Sequence, residues 1–193
     1  MLAIRGLLAG VAFGLASTAA GAAEPREGGY WWGSANVGAA SLQRSYSVTA
    51  DTRDSAFALA LEFGYAWHPQ LLLGVELGGW TLEAGDWWTP DEGEGIQTLY
   101  LVARYYPSES STVFVKGGYG NLSYWNHRFG ESGGSGSGGV LGLGKDFPTS
   151  GRWHLTPSLE YAWGEVHGAT SPPGVTQDQS YDALTLRLGI TFR

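Results

Sequence analysis

From Leu184 to Arg193 the chain reads LTLRLGITFR and sorts into two faces at a period of two. In an extended strand Leu184, Leu186, Leu188, Ile190 and Phe192 share one side, while Thr185, Arg187, Gly189 and Thr191 share the other. The same alternation recurs over about 30–42, 56–67, 71–82, 96–106, 112–124, 138–147, 152–164 and 182–193, which predicts eight strands and an all-β fold. Each segment has ten to thirteen residues. At ~3.3 Å per residue and a tilt near ~45°, that length rises about 25 Å, the height of the apolar band of an outer-membrane barrel.

The breaks alternate in length. His68-Pro69-Gln70, Pro107 to Ser111 and Pro148 to Gly151 are short and rich in turn residues, whereas 43–55, 83–95, 125–137 and 165–181 are long and polar. Short turns belong on the periplasmic side of such a barrel and long loops outside, so both ends of the barrel segment are expected on the periplasmic side. The Gly-Ser run Gly130 to Gly139 and the stretch Ser171-Pro172-Pro173-Gly174 are expected to be loop tips. Aromatic residues collect at the strand ends: Tyr30, Trp31, Trp67, Tyr105, Phe147, Trp153 and Phe192 at one end, Trp80, Tyr124, Trp125 and Trp163 at the other. Two girdles at headgroup level are the expected result.

Strand two sets Phe57, Leu59, Leu61, Phe63, Tyr65 and Trp67 against Ala58, Ala60, Glu62, Gly64 and Ala66. A soluble barrel would bury the aliphatic face and wet the other, but a face of Gly and Ala is a poor solvent surface. In a narrow eight-stranded barrel it makes room for a few large polar side chains. The charges on this small-residue face are Glu62, Glu76, Arg104, Lys116, Glu160 and Arg187, three anions and three cations. Glu62 and Glu76 are equidistant from the turn at Pro69, and Arg104 and Lys116 nearly so about Ser110. Each like-charged pair makes sense only if it faces the other pair across the interior, which predicts a lumen ion-pair network that plugs the barrel.

Composition narrows the setting. There are 31 Gly, 9 Trp and 10 Tyr, only 15% of residues are charged, and the formal net charge is −7. That acidity argues against nucleic acid as a partner. With no cysteine, neither a disulfide nor a lipid-modified Cys is available. Arg5, the apolar stretch from Leu7 to about Ala16 and the small residues ending at Ala20-Gly21-Ala22-Ala23 follow the order of a secretory signal peptide. Residues 1–22 are therefore read as a cleaved export signal and 23–193 as one barrel domain.

These residues resemble the eight-stranded outer-membrane barrels of Gram-negative bacteria: the OmpA transmembrane domain, OmpX and the opacity-type surface proteins. The resemblance rests on the export signal, on segments such as Val113-Phe114-Val115-Lys116-Gly117-Gly118-Tyr119-Gly120 and on LTLRLGITFR, and it covers the whole mature chain. It implies location in the cell outer membrane, lipid and lipopolysaccharide as surroundings, a monomeric barrel, and recognition of the last strand by the barrel assembly machinery through Phe192. The family's usual final Phe is here followed by Arg193.

Catalytic chemistry has little support. His68 and His154 fall at the periplasmic end, and His127 and His167 on outer loops lack the His-x-Ser pair of the small lipid-A deacylases. Glu83, Asp86, Asp91, Glu92 and Glu94 surround Trp87-Trp88 in the second outer loop, but their spacing fits no twelve-residue calcium loop. A solvated acidic loop is expected there, with Trp87 and Trp88 as a loop contact surface. Asn121-Leu122-Ser123 has the form of a glycosylation sequon but lies within a predicted strand. The sequence thus predicts a non-enzymatic surface protein of structural or adhesion-like role, without cofactor or metal and with specificity in its outer loops. A narrow channel for small or hydrophobic solutes and a lipid-A-modifying enzyme are the alternatives.

Overall fold

A computed structural model describes residues 27–47, 51–82, 94–126, 133–171 and 175–193. The proposed export signal and the Trp87-Trp88 pair lie outside these residues, as do Glu83, Asp86, Asp91, Glu92 and His127. Among the described residues nine strands follow in order: β1 (Trp31–Tyr46), β2 (Thr52–His68), β3 (Leu71–Thr81), β4 (Glu94–Tyr105), β5 (Val113–Asn126), β6 (Gly134–Lys145), β7 (Phe147–Ser150), β8 (Trp153–Ser171) and β9 (Val175–Phe192). Each of the first five pairs antiparallel with the next, β6 pairs with β8, β8 with β9 and β9 with β1, so the sheet closes. The wall has eight strands, and β7 is a short extra strand laid on the start of β8.

The register fixes the shape of the cylinder. One row of paired residues runs Arg53, Gln43, Asp182, Trp163, Gly139, Tyr119, Leu101, Val75 and Phe63. A full circuit therefore returns to β2 ten residues from where it began. With eight strands, a rise of ~3.3 Å per residue and a strand spacing of ~4.8 Å, that stagger sets a tilt of roughly 40° and a backbone radius of about 8 Å. A cylinder this narrow holds side chains and little else.

The faces divide as the alternation predicts. Leu61, Phe63, Leu77, Leu101 and Ile190 are more than half exposed on the outside, while Ala58, Ala60, Glu62 and Ala66 are buried within. Toward the end with the long connections, every strand changes character at nearly the same level. Phe57 gives way to Ser55, Leu99 to Gln97, Tyr119 to Asn121, Leu184 to Asp182 and Ala39 to Ser41. Allowing for the stagger, these changes form a level ring, which marks one edge of an apolar band.

The strands run past that ring, which the sequence reading did not anticipate. β6 begins at Gly134, inside the Gly-Ser run expected to be a loop tip, and β8 and β9 extend into the expected loop 165–181. Above the band the outer face turns polar, so the exposed hydrophobics that mark the alternation below it are missing even though pairing continues.

Two aromatics also stand elsewhere than expected. Trp80 and Tyr124, assigned above to the outer girdle, are 2% and 1% exposed and point inward. The count that puts Glu76 and Lys116 inside puts Trp80 and Tyr124 there too, four and eight residues along the same strands. At the tight-turn end Trp31, Trp67, Tyr105, Trp153 and Phe192 do face outward, and Trp163 does so at the other.

Candidate functional site

The six charged residues of the small-residue face meet in the interior. Glu62 stands directly opposite Glu76 on the neighbouring strand, and Arg104 opposite Lys116. Each like-charged pair is held by the opposite charge across the lumen. The Lys116 ammonium donates to Glu62 at 3.3 Å, to Glu160 at 2.9 Å and to Glu76. The Arg187 Nη1 lies 3.1 Å from Glu76 and 2.9 Å from Glu160, and the Arg104 Nη2 lies 2.9 Å from Glu62. Asn36 adds a hydrogen bond to Glu62 at 3.3 Å. Every one of the six is at most 4% exposed, so the layer is buried, balanced in charge and about halfway along the apolar band. The three carboxylates would make a cation cage, and the chain fills that cage with Lys116.

Small residues let the network form. A Cβ on Gly142 would come 2.9 Å from the Glu160 Cγ, and one on Gly144 would come 2.3 Å from the Phe114 ring. With both bare, β6 gives its share of the lumen to its neighbours' side chains. Phe114 then forms one side of a clamp on Arg104, whose guanidinium lies 4.8 Å from that ring and 4.7 Å from Trp32. Burial between two aromatic faces suits guanidinium, which is weakly hydrated.

Apolar packing bounds this layer on both sides. Trp32, Ala66, Leu72, Tyr106 and Phe114 pack toward the turn end. A larger cluster, including Leu42, Trp80, Ile96, Tyr100, Leu122, Tyr124 and Tyr181, fills the other side. The polar tips of that cluster find partners: Trp80 Nε1 donates to Thr185 at 3.1 Å, and the Tyr100 and Tyr181 hydroxyls meet at 3.1 Å.

Each mouth carries a polar group that the sequence reading missed. At the turn end Asp146, 1% exposed, accepts from Tyr106 and Thr156 at 2.8 Å each, and Arg193 pairs with it. At the loop end Arg44 lies 2.7 Å from Asp54 and pairs with Glu94, which also accepts from the Tyr124 hydroxyl at 2.8 Å. Glu94 is thus a partly buried partner at the start of β4, not a member of a solvated acidic loop. Parity could have found Arg44 on β1, but Asp146 falls in the break between β6 and β7, where counting fails.

The remaining candidates do not converge on chemistry. His68 accepts from the Gln70 backbone N–H in a turn, and His167 lies 3.3 Å from Asp178 with both largely exposed. Asn121, Leu122 and Ser123 lie in β5, as expected. Phe192 is partly exposed and packs on Trp153 with ring centroids 5.1 Å apart.

The fold itself has known counterparts. Neisserial surface protein A is similar at a TM-score of 0.57 and 15% identity, over 86% of this chain and 99% of that one. The outer-membrane protein AlkL is similar at 0.53 and 13%, over 91% of this chain and 94% of that one. The chain is an eight-stranded barrel of the outer-membrane type. No family model matches its sequence, and no curated protein matches it either. At such identity the likeness reaches the barrel and stops there; what the interior and the rim of this barrel do must be argued from its own residues.

Proposed function

We propose that this barrel is a sealed anchor in the outer membrane of a Gram-negative cell, with its loop end outward and its specificity for surface partners carried there. The observation that carries the reading is the Lys116 ammonium in contact with all three interior carboxylates, between two packed apolar layers. Any solute crossing would have to part ion pairs in a buried layer, where removing one partner costs about 3–5 kcal/mol. A barrel so closed serves to hold and display, as a structural or adhesion-like protein does. Residues 1–22 act as the export signal, and Phe192 is the aromatic read by the assembly machinery.

Refolding the barrel from residue 23 onward into planar bilayers tests the seal, with deletion of each outer connection and whole-cell binding testing the display. Steady conductance would favour the channel reading. Altered lipid A masses in cells carrying the protein would favour an enzyme.

A further inference from the structure

The wall closes where β9 meets β1, and the outer side of that seam is thin at the turn end. The ladder there starts with Gly33 opposite Phe192. Aromatic packing on the outside holds each strand to its other neighbour. Trp31 of β1 stacks on Phe63 of β2 with ring centroids 5.2 Å apart and planes 7° from parallel, whereas Phe192 of β9 packs on Trp153 of β8. Gly33 offers Phe192 no side chain in return. Ladder ends fray first, so a seam packed in this way opens from the turn end unless something else holds it.

From inside, both strands of the seam are tied to one place on the opposite wall. In the eight-stranded wall β4 is the fourth strand from β9 in either direction, so its inward side chains face the seam across the lumen. Trp32 of β1 covers the Arg104 guanidinium of β4 at 4.7 Å. Two residues on, Tyr106 receives the tie from β9. Arg193, which follows Phe192, donates through Nη2 to the Tyr106 hydroxyl and to the Asp146 carboxylate, and its guanidinium lies 5.0 Å from the Tyr106 ring. Its backbone N–H bonds to the Arg152 carbonyl at 3.0 Å, toward β8 and away from β1.

Asp146 is held ready for this contact. It is 1% exposed, its N–H bonds to the Thr112 carbonyl at 2.8 Å, and the Tyr106 and Thr156 hydroxyls donate to its carboxylate. Thr156 also lies 2.8 Å from Thr191, which donates across the seam to Ser34 at 3.1 Å. The end of β9 therefore cannot move away from β1 without parting a charge-assisted bond on the far side of the lumen, one of the stronger kinds a buried site can offer. We infer that Arg193 and Asp146 form a latch that holds the β1–β9 seam shut at the turn end, with the Trp32–Arg104 contact steadying the other strand of the seam. The latch is independent of which way the barrel faces and of whether its lumen conducts.

The test reads amide hydrogen exchange by NMR on the isotope-labelled barrel refolded in detergent, with heat-dependent gel mobility as the check on folding. Arg193→Ala should raise exchange at least about tenfold at the amides of 33–36 and 189–192, while those of 62–66 and 72–76 on the β2–β3 ladder stay within about twofold. Asp146→Asn should give the same local pattern. The double variant should do no more than the larger single effect, because the two groups act through one contact. Arg193→Lys keeps the charge but not the fork of donors, and should give a smaller rise at the same amides. Unchanged exchange at the seam, an equal rise on the β2–β3 ladder, or additive effects in the double variant overturns the latch. Should Arg193→Ala give no folded gel band, Asp146→Asn and Arg193→Lys carry the same comparison between seam and ladder.

Discussion

At the scale of single residues, the six interior charges are a set in which no member stands alone. Lys116 touches three carboxylates and Arg187 two, so Lys116→Met breaks more ion pairs than Arg187→Met, although each removes one charge. Lys116→Met should lower unfolding free energy by about 3–5 kcal/mol, measured by urea titration in detergent. The double variant Lys116→Met with Glu160→Gln should recover part of that loss, because it deletes charges of both signs; equal loss in both would mean that the contacts are not energetically coupled. Arg104→Lys is a second probe. It keeps the charge but gives up the planar group clamped between Trp32 and Phe114, and should cost about 1–2 kcal/mol by the same titration.

At the scale of strands, parity carried most of the information in the sequence. It placed Glu62, Glu76, Arg104, Lys116, Glu160 and Arg187 on one face, and the structure brings all six together. Trp80 and Tyr124 lie near strand ends, where girdle residues are expected, but they keep the parity of Glu76 and Lys116 and so face inward. The long reach of β8 and β9 was invisible, since beyond the apolar band their outer face is polar. Arg193 and Asp146 are far apart in sequence and meet only when the wall closes, which no local pattern encodes. Single-tryptophan variants separate these cases. With brominated lipids, fluorescence of Trp153 and Trp163 should be strongly quenched and that of Trp80 far less; comparable quenching of Trp80 would return it to the outer face. Gly144→Val should prevent the folded gel band from forming, because Phe114 occupies the space a side chain would need.

At the scale of the whole molecule, the interior is stacked in layers: a polar group at each mouth, two apolar clusters, and a balanced ion layer between them. Shear and strand number make a narrow cylinder, and the proposed seal rests on the large side chains that fill it. The outside is equally ordered, with an apolar band that ends in a level polar ring. Molecules of this kind present little to the membrane except lipid contact, and what is distinctive lies at the rim and beyond it. Single-barrel recording in planar bilayers, at neutral pH and moderate salt, tests the seal most directly. The account predicts no steady open level for the wild-type protein; a stable, resolved conductance from verified folded barrels would contradict it.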